Sequence, residues 1–168
     1  IEATLFGLPV MKVDEHFLRG AARMELPFGV IENEPKIDQA ANLALWGEAM
    51  WFPAIFLTDP RARWEPIDDA TAILVVPAGA AEERFVVRFD PGTGMPRLME
   101  AMRYKEAGSE EKTLWLNELL DWREVGGYET FTIGAITWLG EDGPWAVFRV
   151  EEIVFNADIK EYIEADGP

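Results

Sequence analysis

The sequence predicts an α+β fold that is mainly β, in which a curved antiparallel sheet (a half-open β-barrel) wraps around one Pro-kinked helix. Three observations predict it: most of the chain alternates with period two, one segment has a helical period, and turns containing Gly or Pro separate several of the alternating segments. Strands joined by short turns pair antiparallel, and a long twisted sheet curls around a helix that it buries.

The alternating segments are the predicted strands. Alternation from Leu8 to Leu26 predicts two strands joined by a tight bend at Gly20. Turn residues such as Gly126-Gly127 separate the later strands. We expect about seven to nine strands in the sheet, the later ones running approximately over 62–66, 71–77, 83–89, 97–105, 114–124, 129–138 and 144–155.

The segment from Asp38 to Leu57 is the predicted helix. Apolar residues recur there at spacings of three and four, and Asp38 suits the N-cap position. Apolar residues also occupy much of the opposite face, which indicates a helix that is buried on most sides. Pro53 lacks the N–H that an unbroken helix needs, so we expect an interruption there, with the whole segment inside the concavity of the sheet.

Length and charge restrict the function classes. The 168 residues predict a single domain, 1–168, and because the chain begins at Ile1 and not at Met, we expect that an N-terminal segment of the full-length protein is missing. A net charge of −16 disfavours nucleic acid and anionic lipid headgroups. No stretch approaches the roughly 18 apolar residues of a transmembrane span. A leader or anchor in the missing segment would favour an extracytoplasmic or membrane-tethered location, and the oligomeric state is left open.

Catalytic and metal-binding motifs are absent from the sequence. There is no cysteine, and His16, the only histidine, lies on a polar face beside acidic residues. Asp68-Asp69 is typical of a turn in which a carboxylate bonds the local backbone, because adjacent strand residues point to opposite faces. We therefore predict no catalytic residue, metal or cofactor, and favour a protein that is not an enzyme.

Two features remain as candidates for a binding site. The seven tryptophans are read mainly as core, while several of them are candidates to line an apolar cavity between helix and sheet. Glu48 interrupts an apolar helix, which indicates either a buried pair with an arginine or a polar group in a pocket. We predict that Glu48 is mostly buried and bonded to a tryptophan N–H or to an arginine, Arg103 first and Arg23 or Arg149 next, so that its loss destabilises the fold.

One set of residues spread along the chain forms a recognisable pattern, of which the helix–Pro–Trp segment is the most specific part. Its members are Asp38, Leu43, Trp46, Glu48, Trp51, Pro53, Trp64, Ile67, Asp68, Phe89, Asp90, Met102, Arg103, Tyr104, Gly127, Trp138, Arg149, Phe155 and Asn156. Through these residues the sequence resembles an uncharacterised prokaryotic domain-of-unknown-function family over nearly the whole chain from about Gly7. The resemblance implies an architecture and no activity, and the order of strands and helix is also similar to the half-barrel of bacterial lipoprotein carriers, which hold acyl chains between a curved sheet and helices.

The predicted function is the non-enzymatic binding of an apolar ligand or lipid in a cavity between helix and sheet. One alternative is a structural or interaction module whose core is filled by its own side chains. A second is an enzyme that uses Glu48 with Arg103 or Tyr104, which would need an open cleft exposing Glu48. The residues predicted to bind the ligand are Trp46, Glu48, Trp51, Trp64, Arg103 and Trp138.

Overall fold

Seven consecutive strands form one antiparallel sheet, and a helix lies against its concave face. The computed structural model describes residues 2–5, 8–158 and 160. Within these residues the elements are β1 (Glu2–Leu5), β2 (Leu8–Lys12), β3 (Asp14–Leu18), β4 (Ala21–Leu26), β5 (Gly29–Glu32), α1 (Pro35–Glu48), a 3₁₀ turn (Ala49–Trp51), α2 (Ile55–Thr58), β6 (Arg63–Asp68), β7 (Thr71–Ala78), β8 (Ala81–Phe89), β9 (Pro96–Arg103), β10 (Thr113–Val125), β11 (Tyr128–Trp138) and β12 (Ala146–Arg149).

The larger sheet is an open meander with the order β12-β11-β10-β9-β8-β7-β6, in which each strand pairs with its neighbours in the chain. The predicted antiparallel half-barrel is confirmed, and β6 to β11 agree with the predicted strands within a few residues. The last predicted strand, 144–155, is too long. Its ladder ends where Val150 N–H donates to Thr132 O at 2.9 Å, because the chain then leaves the edge and Phe155 packs on Tyr128 with ring centroids 4.4 Å apart.

A two-residue turn shows locally why neighbouring strands run antiparallel. Gly126 and Gly127 have φ angles of +60° and +85°, and the turn brings Val125 opposite Tyr128. Positive φ at both central positions is the geometry of a type I′ turn, whose twist matches that of the flanking strands. Because side chains rarely adopt these angles, the pair of glycines fixes the hairpin between β10 and β11.

Helix α1 begins at Pro35, so the prediction of Asp38 as its N-cap was wrong. Pro35 suits the first helical position because its missing N–H would have no helical partner there. Glu34 caps the helix by accepting a hydrogen bond from Lys36 N at 3.2 Å. Asp38 lies in the first turn and accepts a hydrogen bond from Ala22 N at 2.7 Å, so that its carboxylate ties α1 to β4.

The helical segment is interrupted at the predicted place. After Glu48 the chain tightens into the 3₁₀ turn, and Phe52 then adopts non-helical angles of −128° and 60°. A residue before proline is pushed out of the helical region by the ring, so Pro53 accounts for the break. The short helix α2 follows and buries Phe56.

The main core lies between α1 and one face of the sheet. Leu43, Trp46 and Met50 of α1 are buried in it, and each such side chain contributes on the order of 1.5–3 kcal/mol. Because five neighbouring strands contribute to this single cluster, the sheet curves around the helix. Their buried residues are Leu74, Val76, Phe85, Val87, Met99, Ala101, Trp115, Leu119, Phe131 and Trp138.

A smaller sheet of β3, β4 and β5 packs on the first half of α1. Ala22 forms a small buried cluster with Ile37 and Ala41 of the helix. The tight bend predicted at Gly20 is confirmed between β3 and β4, where the φ of this glycine is +86°. The range 8–26 holds β2, β3 and β4, one strand more than predicted.

Candidate functional site

A cavity of about 360 Å³ lies between the second half of α1 and the sheet, and we call it the helix–sheet cavity. Strands β10 and β11 contribute four residues each to its wall, and β3, β9 and β12 contribute one residue each. Its lining residues are Glu15, Ala44, Gly47, Glu48, Trp51, Arg103, Trp115, Asn117, Glu118, Leu119, Phe131, Gly134, Ala135, Ile136, Trp145 and Phe148.

The helical side of the cavity is built from residues that lie on one face of α1 and its 3₁₀ extension. Ala44, Gly47, Glu48 and Trp51 follow at spacings of three and four, which places them on the same side of a helix. The small side chain of Ala44 leaves space open on this face. A Cβ atom added at Gly47 would lie 3.4 Å from Trp115 Cη2, so the indole already lies close to the helix backbone at this point.

The end of the cavity near Trp51 is aromatic. The ring of Trp51 stacks on that of Phe131 with centroids 4.9 Å apart and an interplanar angle of 17°. Gly134 on β11 lies next to this stack, since a Cβ added there would be in van der Waals contact with Trp51 Cζ2 at 3.8 Å and with Phe131 Cε2 at 3.7 Å. Gly134 pairs with Phe148 of β12, which extends the aromatic wall to the edge strand.

The opposite end of the cavity holds Arg103. Its Nε donates a hydrogen bond to Ala40 O at 3.0 Å, and its guanidinium lies 4.7 Å from the ring centroid of Trp115 and 5.4 Å from that of Trp138. Burial lowers the pKa of Arg103 to about 10, although the charge of Glu15 opposes the decrease. The cation remains protonated at neutral pH, in a position where solvation is reduced.

Glu48 lies at the mouth of the cavity, and the prediction that it is mostly buried and bonded was wrong. Its side chain is exposed, and it forms no hydrogen bond or ion pair with the described residues. Arg103 is bonded to Ala40 O, about two helical turns before Glu48, and forms no ion pair with Glu48. Partial burial raises the pKa of the Glu48 carboxyl above 4.5, and the negative charge of Glu15 raises it further.

Two indole N–H groups in the cavity walls are unsatisfied. The Nε1 atoms of Trp51 and Trp115 are buried and have no hydrogen-bond partner among the described residues. A buried donor without an acceptor costs about 1–3 kcal/mol. A rearrangement that brought an acceptor to either N–H would therefore lower the free energy of the folded protein.

The structure divides the predicted binding residues into two groups. Glu48, Trp51 and Arg103 line the cavity. Trp46 is buried in the core with its ring centroid 6.0 Å from that of Phe56. The other two lie outside the lining as well, since Trp64 packs against Phe56 and Phe89, and Trp138 is buried against Trp115 and under Arg103.

Sequence reasoning missed several lining residues. Trp115 and Trp145 were counted among the tryptophans but not assigned to the site, and Phe131, Phe148 and Glu15 were not considered. One signal was available, because Ala44 and Gly47 place small residues on the helix face that includes Trp51. No sequence signal identifies Glu15, which reaches the cavity only because the three-stranded sheet packs on α1.

The other residues considered from the sequence, His16 and Asp68, lie outside the lining of the cavity. His16 is exposed on β3, opposite Arg23 of β4. Asp68 accepts a hydrogen bond from Ala70 N at 2.9 Å, which confirms the predicted turn.

Among the described residues, no three His, Asp or Glu side chains are grouped so that they could hold a metal ion. None of the described helices is long and apolar enough to cross a membrane.

A family model described as "Family of unknown function (DUF6544)" matches residues 1–150 of the chain. No curated protein and no solved structure matches. The predicted resemblance to a domain family of unknown function is thereby confirmed. The similarity to lipoprotein carriers stays a prediction.

Proposed function

Because this chain belongs to that family of unknown function, its role has to be inferred from its own geometry, and we propose that it binds an apolar ligand or lipid in the helix–sheet cavity without catalysing a reaction. The observation that carries the proposal is unfilled space between predominantly apolar walls. The cavity measures about 360 Å³, within the range of about 300–1,000 Å³ that small-molecule pockets occupy.

Exposed aromatic residues beside the cavity support the proposal. Trp145 and Phe148 line the cavity but are 57% and 41% exposed, and nearby Phe52 is 56% exposed. Trp51 and Phe148 also border a second, shallower groove that continues toward Ile153. Large apolar side chains grouped at the mouth of an apolar cavity are typical of a site that receives an apolar partner.

The alternative of a purely structural module requires a core filled by its own side chains. The part of the core around Phe85 and Leu74 meets this requirement, since both side chains are fully buried. The region between Trp51 and Arg103 does not, because Ala44 stands where a larger side chain would fill the space. A binding role explains why one region of the core is filled and the other is not, whereas a structural role does not explain it.

An enzymatic role for Glu48 is the second candidate, favoured by one observation. Glu48 is exposed at the cavity mouth with a raised pKa, as a general acid or base requires. Arg103 lines the same cavity, whereas Tyr104 is absent from the lining and has Lys36 and Lys112 each 5.7 Å from its ring centroid. Because no described residue bonds to Glu48 to orient its carboxylate, binding without catalysis is the better supported role.

The cavity-filling variant Ala44→Leu tests the proposal. Leucine suits a helix, and its side chain would enter the space that a ligand needs. We expect saturable binding of a fluorescent apolar dye to the parent protein and at least tenfold weaker binding to Ala44→Leu. The matched control is Leu45→Ala, which changes an exposed position on the same helix outside the cavity and should leave dye binding unchanged.

Native mass spectrometry after gentle purification gives a second measurement. The proposal predicts a copurified apolar molecule on the parent protein, which Ala44→Leu lacks. If the parent shows a clean apo mass and takes up no dye, the structural alternative is correct. If the dye binds Ala44→Leu as well as the parent but binds Leu45→Ala less, the ligand occupies the helix surface and the cavity proposal is wrong.

A further inference from the structure

Arg103 differs from the other arginines in combining partial burial with the lack of a carboxylate partner. Arg19, Arg97 and Arg149 also form no ion pair with the described residues, but all three are exposed to water. Arg103 is half-buried. The arginines that form ion pairs with Asp or Glu are Arg23, Arg61, Arg63, Arg84, Arg88 and Arg123.

The contacts of Arg103 leave one side of its guanidinium unused. Nε is bonded to Ala40 O, and the cation lies near the rings of Trp115 and Trp138. The Nη1 and Nη2 groups donate no hydrogen bond to any described residue. A guanidinium held in place by Nε and by aromatic rings presents its two Nη groups as a fork that suits a carboxylate.

The rest of the cavity complements a ligand with one acidic end. Arg103 is the only cation among the described lining residues, and the aromatic end at Trp51 and Phe131 lies roughly 15 Å further along the helix. The carboxylates of Glu15, Glu48 and Glu118 also line the cavity, and they are exposed. Their charges disfavour a polyanion and leave a single acidic group as the best match for Arg103.

We propose that Arg103 binds the acidic group of an amphipathic monoanion, a medium-chain carboxylate, whose apolar chain lies along Ala44 and Gly47 toward Trp51 and Phe131. This inference rests on the proposed function and specifies its ligand class. The modest volume of the cavity, about 360 Å³, favours a medium chain over a bulky lipid.

Three probes with the same chain test the inference: decanoate, 1-decanol and decylamine. Binding is followed at neutral pH by the fluorescence of the tryptophans that line the cavity. A charge-assisted hydrogen bond predicts that the parent protein binds decanoate about ten- to a hundredfold more tightly than 1-decanol. The preference for decanoate should persist when NaCl is added, because a partly buried pair with Arg103 is screened much less than the charges on the surface.

Variants of Arg103 separate recognition from folding. Arg103→Met keeps an unbranched apolar stem and removes the charge, so decanoate should bind it no better than 1-decanol, while the affinity for 1-decanol stays within about threefold of the parent value. Retained binding of 1-decanol shows that the cavity is intact. Arg103→Lys keeps the charge without the planar fork and should give an intermediate preference. If Arg103→Met does not fold, the Lys variant and the preference of the parent protein for decanoate over 1-decanol decide.

The outcomes that contradict the inference differ from those that contradict the proposed function. Equal affinities of the parent protein for decanoate and 1-decanol would overturn the role of Arg103 and leave the apolar cavity standing. Tightest binding of decylamine would assign recognition to Glu15, Glu48 and Glu118 and also overturn it. Binding of none of the three probes would remove the proposed function, and the inference with it.

Discussion

Glu48 is a charged residue for which the described fold provides no partner. The carboxylate is exposed but lies beside the cavity wall and near Glu15, and both surroundings raise its pKa. A carboxyl group whose pKa is higher in the folded state binds its proton more tightly there. Ionisation of Glu48 therefore opposes folding, in contrast to the predicted stabilising bond with an arginine or a tryptophan N–H.

The variant Glu48→Gln tests whether ionisation of Glu48 opposes folding. At neutral pH the variant should melt at the parent temperature or up to about 2 °C higher, because a neutral amide avoids the cost of the charge. The difference should be present above the raised pKa of the folded protein. It should disappear as the pH falls through that value and below 4.5, where Glu48 is protonated in both states. Thermal melts at several pH values measure it, and a clearly lower melting temperature of the variant at neutral pH would restore the predicted anchoring role.

At the scale of elements, Asp38 connects the small sheet to the helix. Its carboxylate accepts a hydrogen bond from Ala22 N at 2.7 Å, beside the cluster that joins β4 to α1. The same sheet brings Glu15 of β3 to the cavity. The position of one wall residue therefore depends on a contact between two different elements, β4 and α1.

Asp38→Ala should release this contact. Because Ala22 is buried, its N–H would be left without an acceptor, at a cost of about 1–3 kcal/mol. We expect a melting temperature several degrees lower and faster hydrogen exchange at the Ala22 amide, measured by NMR or mass spectrometry. Asp38→Asn is the matched control, since it keeps an acceptor and loses only the favourable charge in the first helical turn. Unchanged protection of Ala22 in Asp38→Ala would show that the carboxylate does not hold the sheet.

At the scale of the whole molecule, the net charge of −16 opposes compactness. The ion pairs offset little of this repulsion, because most of them are exposed and such pairs contribute about 0–1 kcal/mol each. Dissolved salt screens both the repulsion among the like charges and the attraction within the ion pairs. Repulsion among many like charges extends over the whole surface, so its screening should dominate.

The melting temperature should therefore rise as NaCl is added from low ionic strength. The double variant Glu110→Gln/Glu111→Gln removes two exposed charges that form no ion pair with the described residues. It should melt slightly higher than the parent at low salt and depend less on salt. A melting temperature that falls with added NaCl would show that the ion pairs outweigh the repulsion.

The sequence by itself determined the fold class. Period-two alternation, paired glycines such as Gly126-Gly127 and the break at Pro53 are local properties of the chain, set by side-chain direction and by allowed φ angles. These signals predicted the antiparallel sheet, most strand positions and the enclosed helix. The N-cap was nevertheless assigned wrongly to Asp38, because Glu34 and Pro35 begin the helix one turn earlier. The bond from Ala22 N to the Asp38 carboxylate is a tertiary contact that no local pattern indicates.

Only the tertiary structure decided which residues form the cavity. Trp46 and Trp51 lie five residues apart on the same helical segment, yet one is buried in the core and the other lines the cavity, because the two positions face different parts of the curved sheet. Arg103 and Glu48 were predicted as partners, but Arg103 bonds α1 at Ala40 whereas Glu48 lies at the cavity mouth. The helix positions 40 and 48 are about 12 Å apart along the axis of α1. Sequence patterns give the direction of a side chain relative to its own element. The free space between elements depends on how closely they pack, which no local pattern encodes.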